Sequence, residues 1–221
     1  MNVNHKIINP EKDAKPVSKI RYYASLLEAI ILFIVSVYIT HYASLYAEVK
    51  ASGSVDDIIL SNTRVYNFEI FFVYIAIMLG LFVITLCLRF TKTAPFLIKT
   101  VSLFIIIRSA FVSLTHIGPY PTKLILESRA LDFVTSGNDL FFSGHTGLPF
   151  LIALIFWDHL YIRILFLTAS IVLGSTALLA HLHYSIDVFA AFFITYTIYH
   201  ISVKIFKKDF DFFTLEDVKH K

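Results

Sequence analysis

The stretch LFFSGHTGLPFLIALIFW, residues 140–157, decides how the chain is interpreted. It places a serine, a glycine and a histidine at the start of an otherwise apolar run. Titratable side chains are rare inside membranes, where they mark functional sites more often than packing positions. The stretch therefore predicts a membrane helix that begins with a functional polar turn.

The composition points to a membrane protein. Hydrophobic residues make up 57% of the chain and charged residues 16%, and the mean hydropathy is +0.73. Soluble domains carry about 25% charged residues. We therefore expect the chain to reside in a bilayer and to have no nucleic-acid partner.

The apolar residues fall into six runs, each close to the roughly 20 residues that cross about 30 Å of hydrocarbon. No repeat or linker divides the chain. We expect an all-α polytopic membrane protein with six transmembrane helices in one bundle, a catalytic domain over 22–206, and tails at 1–21 and 207–221. The predicted helices cover 22–47, 68–90, 94–117, 141–158, 160–180 and 186–206.

The basic residues predict the orientation of this bundle. Most lysines and arginines near the helix ends fall on the side that holds both tails. Such an excess marks the cytoplasmic side of a membrane protein. We expect cytoplasmic N- and C-termini, with the opposite ends of the helices on the exoplasmic, periplasmic or lumenal side.

The same topology brings three titratable residues to the outer side. His145 begins the fourth helix, and His183 and Asp187 begin the sixth, four residues apart on one helical face. One imidazole can attack phosphorus while the other protonates a leaving alkoxide. Asp187 can hold His183 in one tautomer, so His183 is predicted as the nucleophile and His145 as the acid and base.

A second group of residues is suited to bind a phosphate. Arg108 lies inside the third helix, where a charge needs a partner, and its fork matches phosphate oxygens. Ser143 and Gly144 start a helix whose free N–H groups favour an anion. Asp139 either orients His145 or caps the fourth helix, and Arg108 could instead pair with Asp139 or with a carbonyl.

The motifs FFSGHTG and AHLHYSIDV resemble the type 2 phosphatidic acid phosphatase superfamily, and more closely its sphingomyelin synthase branch. IRSAFVSLTHIGPYP is similar to the third-helix segment of that branch, and Asp139 precedes Ser143 as it does there. Ordinary phosphatases of the superfamily carry a proline and an arginine at the positions of Phe142 and Ala177.

The resemblance implies transfer through a phosphohistidine without a metal or other cofactor. A phosphocholine or phosphoethanolamine type of head group would pass from a glycerophospholipid donor to a ceramide-like or other lipid hydroxyl. With water as the acceptor, the enzyme would be a lipid phosphate phosphatase or a phospholipase C-type hydrolase. A non-catalytic binder or transporter of anionic lipids is a further alternative, and a homo-oligomer is compatible with the sequence.

A zinc site formed by His145, His181, His183 and Asp187 is an alternative interpretation of the same residues. Histidines at positions i and i+2 of a helix do not converge on one ion, so we expect no metal site. His181 is expected to have a structural role.

Cysteine labelling tests the predicted orientation. In a chain with Cys87→Ala, an impermeant reagent added outside should modify Ser136→Cys and leave Lys92→Cys untouched. The opposite pattern would invert the topology.

Overall fold

The computed structural model describes residues 19–124 and 140–211, apart from the side chains of residues 69 and 70. Within these ranges the chain is helical and contains no strand, as the all-α prediction requires. A 3₁₀ turn covers Leu60–Asn62, and a short helical segment at 207–211 follows the last helix. The α-helices are α1 (Lys19–Lys50), α2 (Glu69–Arg89), α3 (Ala94–Leu114), α4 (Gly144–Ile155), α5 (Leu160–Leu179) and α6 (Ser185–Ile205).

Five of these helices, α1, α2, α3, α5 and α6, are long and apolar enough to cross a membrane. The chain is therefore an integral membrane protein. Helix α4 has 12 residues, which corresponds to about 18 Å, whereas the sequence predicted a helix over 141–158. It begins later because the carbonyls of Leu140 and Phe142 accept hydrogen bonds from the side chains of His183 and Arg108. It ends earlier because the chain turns at 156–158.

Helix α4 forms the centre of the bundle. It packs against α5 and α6 and also contacts α3, while α1 packs along α3. Leu151, Ala153 and Ile155 of α4 are almost fully buried and belong to the main hydrophobic core, together with Phe104 and Phe166. The apolar character of α4 thus reflects burial within protein.

A buried ionic network lies at the end of the bundle where α1 begins. The Nζ atom of Lys99 donates to Asp209 Oδ2 at 2.8 Å, Glu28 Oε2 at 3.0 Å and Ser25 Oγ at 2.9 Å. Lys99 and Asp209 are buried, whereas the Glu28 side chain is 71% exposed. The network joins α1, α3 and the segment at 207–211.

We expect Lys99→Met to destabilise the protein, because it leaves the buried Asp209 carboxylate without its cation. Removing one partner of a buried ion pair costs about 3 kcal/mol or more. Thermal unfolding in detergent measures the effect, and adding Asp209→Asn should restore part of the loss. Lys204→Met, at an exposed lysine of α6, is the control. Equal stability of the Lys99 and Lys204 variants would contradict a stabilising network.

Candidate active site

Most of the residues predicted for the site meet at the end of the bundle opposite Lys99. Arg108 comes from the last third of α3, Gly144 and His145 begin α4, and Asp187 lies in the first turn of α6. His183 lies in the turn that joins α5 to α6. Asp139 lies outside the described residues.

The ring of His183 is held in one tautomer. Its Nδ1 atom lies 2.9 Å from the carbonyl oxygen of Leu140 and 3.5 Å from Asp187 Oδ2. A carbonyl oxygen only accepts hydrogen bonds, so Nδ1 carries the proton and donates it. The lone pair of the neutral imidazole is therefore on Nε2.

Asp187 connects α6 to the start of α4. Its Oδ2 atom accepts a hydrogen bond from the amide of Tyr184 at 3.0 Å, and its own carbonyl accepts from the amide of Ser143 at 3.1 Å. The side chain is 1% exposed. The carboxylate thus caps the helix that carries it while its Oδ2 faces the ring of His183.

The start of α4 provides open backbone donors. Ser143 is the N-cap, and its fully buried hydroxyl accepts from the amide of Thr146 at 3.4 Å. The amide of Ser143 donates to the carbonyl of Asp187, so both polar groups of this serine have partners within the protein. Among the described residues, the amides of Gly144 and His145 have no protein partner, and such amides at a helix start attract anions.

Arg108 packs directly against this helix start. Its Nε atom donates to the carbonyl oxygen of Phe142 at 2.8 Å. A Cβ atom placed on Gly144 would lie 3.2 Å from that Nε and 3.5 Å from Cζ. Glycine is therefore the residue that lets the guanidinium approach the open amides.

His145 completes the group. Its ring lies against the ring of Phe72, with 4.4 Å between the centroids. His145 directly follows Gly144, against which Arg108 packs, and it is close enough to His183 and Arg108 to interact with both electrostatically. The structure thus brings together His145, His183, Asp187, Arg108 and Gly144.

His181 is directed away from this site. It adopts the left-handed conformation with φ of 53°, and the amides of His181 and Leu182 bond back to the carbonyls of Leu178 and Ala177, which ends α5. Its Nδ1 lies 2.6 Å from the Thr122 hydroxyl and its Nε2 lies 3.3 Å from that of Thr63.

The contacts of His181 argue against its taking part in a zinc site. Both ring nitrogens of His181 already have partners, so this histidine is not free to act as a metal ligand. No group of three or more His, Cys, Asp or Glu side chains in the described part of the chain could hold a metal ion.

Two further contributors are not among the residues predicted from the sequence. The Leu140 carbonyl is a backbone group, so no residue type could reveal it. Asp57, in the loop between α1 and α2, is buried beside the start of α6. The apolar residues that follow it in VDDIIL are a weak signal that this loop turns inward.

We expect Gly144→Ala to lower turnover by roughly tenfold, because the added methyl group must displace the Arg108 guanidinium by a few tenths of an ångström. Gly80→Ala in α2 is the matched control, since a Cβ there meets nothing within 4 Å. A lipid-turnover assay on both purified variants measures the effect. Wild-type turnover in Gly144→Ala would show that this close contact is not needed.

A comparison with protein families supports the resemblance seen in the motifs. The family model of the PAP2 superfamily C-terminal domain matches residues 136–204, a segment that contains α4, α5 and most of α6. No curated protein and no solved structure matches the chain. The match supports a place in the type 2 phosphatidic acid phosphatase superfamily and fits a membrane enzyme of lipid metabolism that acts as a lipid phosphatase or phosphotransferase.

Proposed function

We propose that this protein is a lipid phosphotransferase of the sphingomyelin synthase type. It takes a phosphocholine or phosphoethanolamine type of head group from a glycerophospholipid and passes it to a ceramide-like or other lipid hydroxyl. The observation that carries the proposal is the hydrogen bond from His183 Nδ1 to the Leu140 carbonyl. It leaves Nε2 as a nucleophile with a fixed direction.

In the first half of the reaction, Nε2 of His183 attacks the phosphorus atom of the donor lipid. The bond between phosphorus and the glycerol oxygen breaks, and its electron pair leaves with that oxygen. His145, in its protonated form, gives a proton to the leaving alkoxide. Diacylglycerol departs, and the head group stays on His183 as a phosphohistidine.

In the second half, neutral His145 removes the proton from the hydroxyl group of the acceptor lipid. The acceptor oxygen attacks phosphorus, the bond from phosphorus to Nε2 breaks, and His183 recovers its lone pair. Both imidazoles return to their starting protonation states. Asp187, 3.5 Å from Nδ1, stabilises the positive charge that His183 carries while it is bonded to phosphorus.

The phosphate oxygens have two sets of donors in this proposal. The open amides of Gly144 and His145 face the anion together with the positive end of the α4 dipole. The guanidinium of Arg108 adds a positive charge beside Gly144. These groups stabilise the extra negative charge of the five-coordinate transition state.

We also propose that the site opens on the exoplasmic, periplasmic or lumenal side, with both termini in the cytoplasm. Lys204, Lys207 and Lys208 follow or end α6 on the side opposite the site, and basic residues mark the cytoplasmic face. In this arrangement α4 lies within the membrane, surrounded by other helices, so residues 22–206 form one catalytic domain of six membrane helices.

Turnover of labelled lipids tests the proposal. Purified protein is incubated with phosphatidylcholine or phosphatidylethanolamine, with and without ceramide. Product that requires ceramide supports the transferase. Release of diacylglycerol without an acceptor would indicate the hydrolase, and no turnover would indicate a protein that only binds lipids.

We expect His183→Ala to lower turnover on the order of 10³-fold or more, since it removes the nucleophile. Asp187→Asn should lower turnover less, because Leu140 makes the shorter contact to Nδ1. The control is His200→Ala, at an exposed histidine near the other end of α6. Wild-type turnover in His183→Ala would remove this residue from the mechanism.

A further inference from the structure

A second carboxylate, that of Asp57, contacts the start of α6, close to His183. It lies in the first outer loop and is 7% exposed. Its Oδ2 atom accepts a hydrogen bond from the amide of Ser185, the first residue of α6, at 2.7 Å. Its Oδ1 atom accepts from the amides of Ile59 and Leu60 at 2.9 Å and 3.1 Å.

These contacts require a carboxylate. Both oxygens of Asp57 accept hydrogen bonds from backbone amides, whereas an asparagine has one accepting oxygen and would turn its NH₂ group toward an N–H. Burial by itself would raise the pKa of Asp57, but the hydrogen bonds from Ser185, Leu60 and Ile59 outweigh it, and the pKa lies below its usual value. Asp57 is therefore ionised at neutral pH.

The contacts of Asp57 are connected to the imidazole ring of His183 in two ways. The amide of Leu60 is held by Asp57, and the Leu60 side chain packs in one buried cluster with Leu140 and Tyr184. Leu140 supplies the carbonyl that accepts from His183. On the other side, Asp57 holds the first residue of α6, the helix that carries Asp187.

The loop around Asp57 is itself fixed to the second outer loop. The Tyr184 hydroxyl donates to the carbonyl of Gly118 at 2.8 Å and accepts from the amide of Val55 at 3.3 Å. The amide of Gly118 donates to the Gly53 carbonyl at 3.2 Å. A Cβ on Gly118 would overlap the carbonyl oxygen of Ser52, so only glycine permits this pairing.

We propose that Asp57 is a positioning residue, which holds the Leu140 carbonyl and the start of α6 so that His183 keeps Nδ1 protonated and Nε2 directed at phosphorus. The proposal rests on the proposed function in so far as His183 is the nucleophile. Asp57 does not touch the reacting atoms. Its loss should therefore affect the chemical step and not the binding of lipid.

The first test compares Asp57→Asn with Asp56→Asn, the same change at the exposed neighbouring residue. Asp57→Asn should lower kcat on the order of tenfold or more with KM unchanged, since small misplacements of reacting groups have effects of this size. Asp56→Asn should match the wild type. An unchanged kcat in Asp57→Asn, or a raised KM with kcat intact, would overturn the proposal.

A second variant removes the same contact from the other side. Ser185→Pro deletes the N–H that Asp57 accepts, at the first position of a helix, where proline is well tolerated. Tyr184 before it is extended, with φ −69° and ψ 156°, as a residue before proline should be. If Asp57 acts through this bond, the double variant should lose little more than either single variant. Losses that multiply would show that Asp57 acts elsewhere.

A spectroscopic measurement is independent of turnover. In protein labelled with ¹⁵N-histidine, the Nδ1–H signal of His183, assigned by its absence in His183→Asn, should be protected from exchange with water. It should be lost in Asp57→Asn and in Ser185→Pro and kept in Asp56→Asn. If Asp57→Asn is not recovered as folded protein, the Nδ1–H signal of His183 in Ser185→Pro tests the proposal instead.

The two proposals fail in different ways. A protected signal that depends on Asp57, in a protein without lipid turnover, would leave Asp57 as a positioning residue and reject the proposed function. A signal that is absent from the wild type or unchanged in both variants would reject the role of Asp57, whatever the turnover.

Discussion

The candidate site depends on one hydrogen bond, from Nδ1 of His183 to the carbonyl oxygen of Leu140. This bond fixes which ring nitrogen carries the proton, and hence which one can attack. A carbonyl is a dependable partner because it cannot donate, so the tautomer does not depend on the protonation state of a neighbouring acid. Asp187 adds negative charge at a longer distance, which suits a group that would stabilise the positive ring in the proposed reaction.

Packing near the site holds this bond in place, and an ionic network stabilises the opposite end of the bundle. Near the site, Phe142 and Leu140 precede the first turn of α4. Their carbonyl oxygens accept hydrogen bonds from Arg108 and His183, respectively. The loops at 51–68 and 115–124 pack against the turn between α5 and α6. At the far end, Lys99 ties α1 and the segment after α6 to α3. The central helix α4 can be short because other helices surround it.

The features that depend on residue type and helical spacing could be predicted from the sequence. The apolar runs indicated the helices. The polar residues at the helix ends, together with Arg108 inside the third helix, indicated one site of His145, His183, Asp187, Arg108 and Gly144. Sequence could not reveal the Leu140 carbonyl, since every residue has one. It also could not distinguish the apolar face of a buried helix from that of a lipid-facing helix, so α4 was predicted too long. The contact of Asp57 with α6 joins residues 128 positions apart in the chain, which no local pattern encodes.

Trapping the covalent intermediate tests the central claim most directly. The protein is incubated with a donor phospholipid labelled in its phosphate and without acceptor, then denatured in alkali, where phosphohistidine survives, and digested for mass spectrometry and NMR of the modified peptide. We predict one adduct, with the head-group phosphate on Nε2 of His183. An adduct on Nδ1 of His183 or on His145, or turnover without any adduct, would contradict the account.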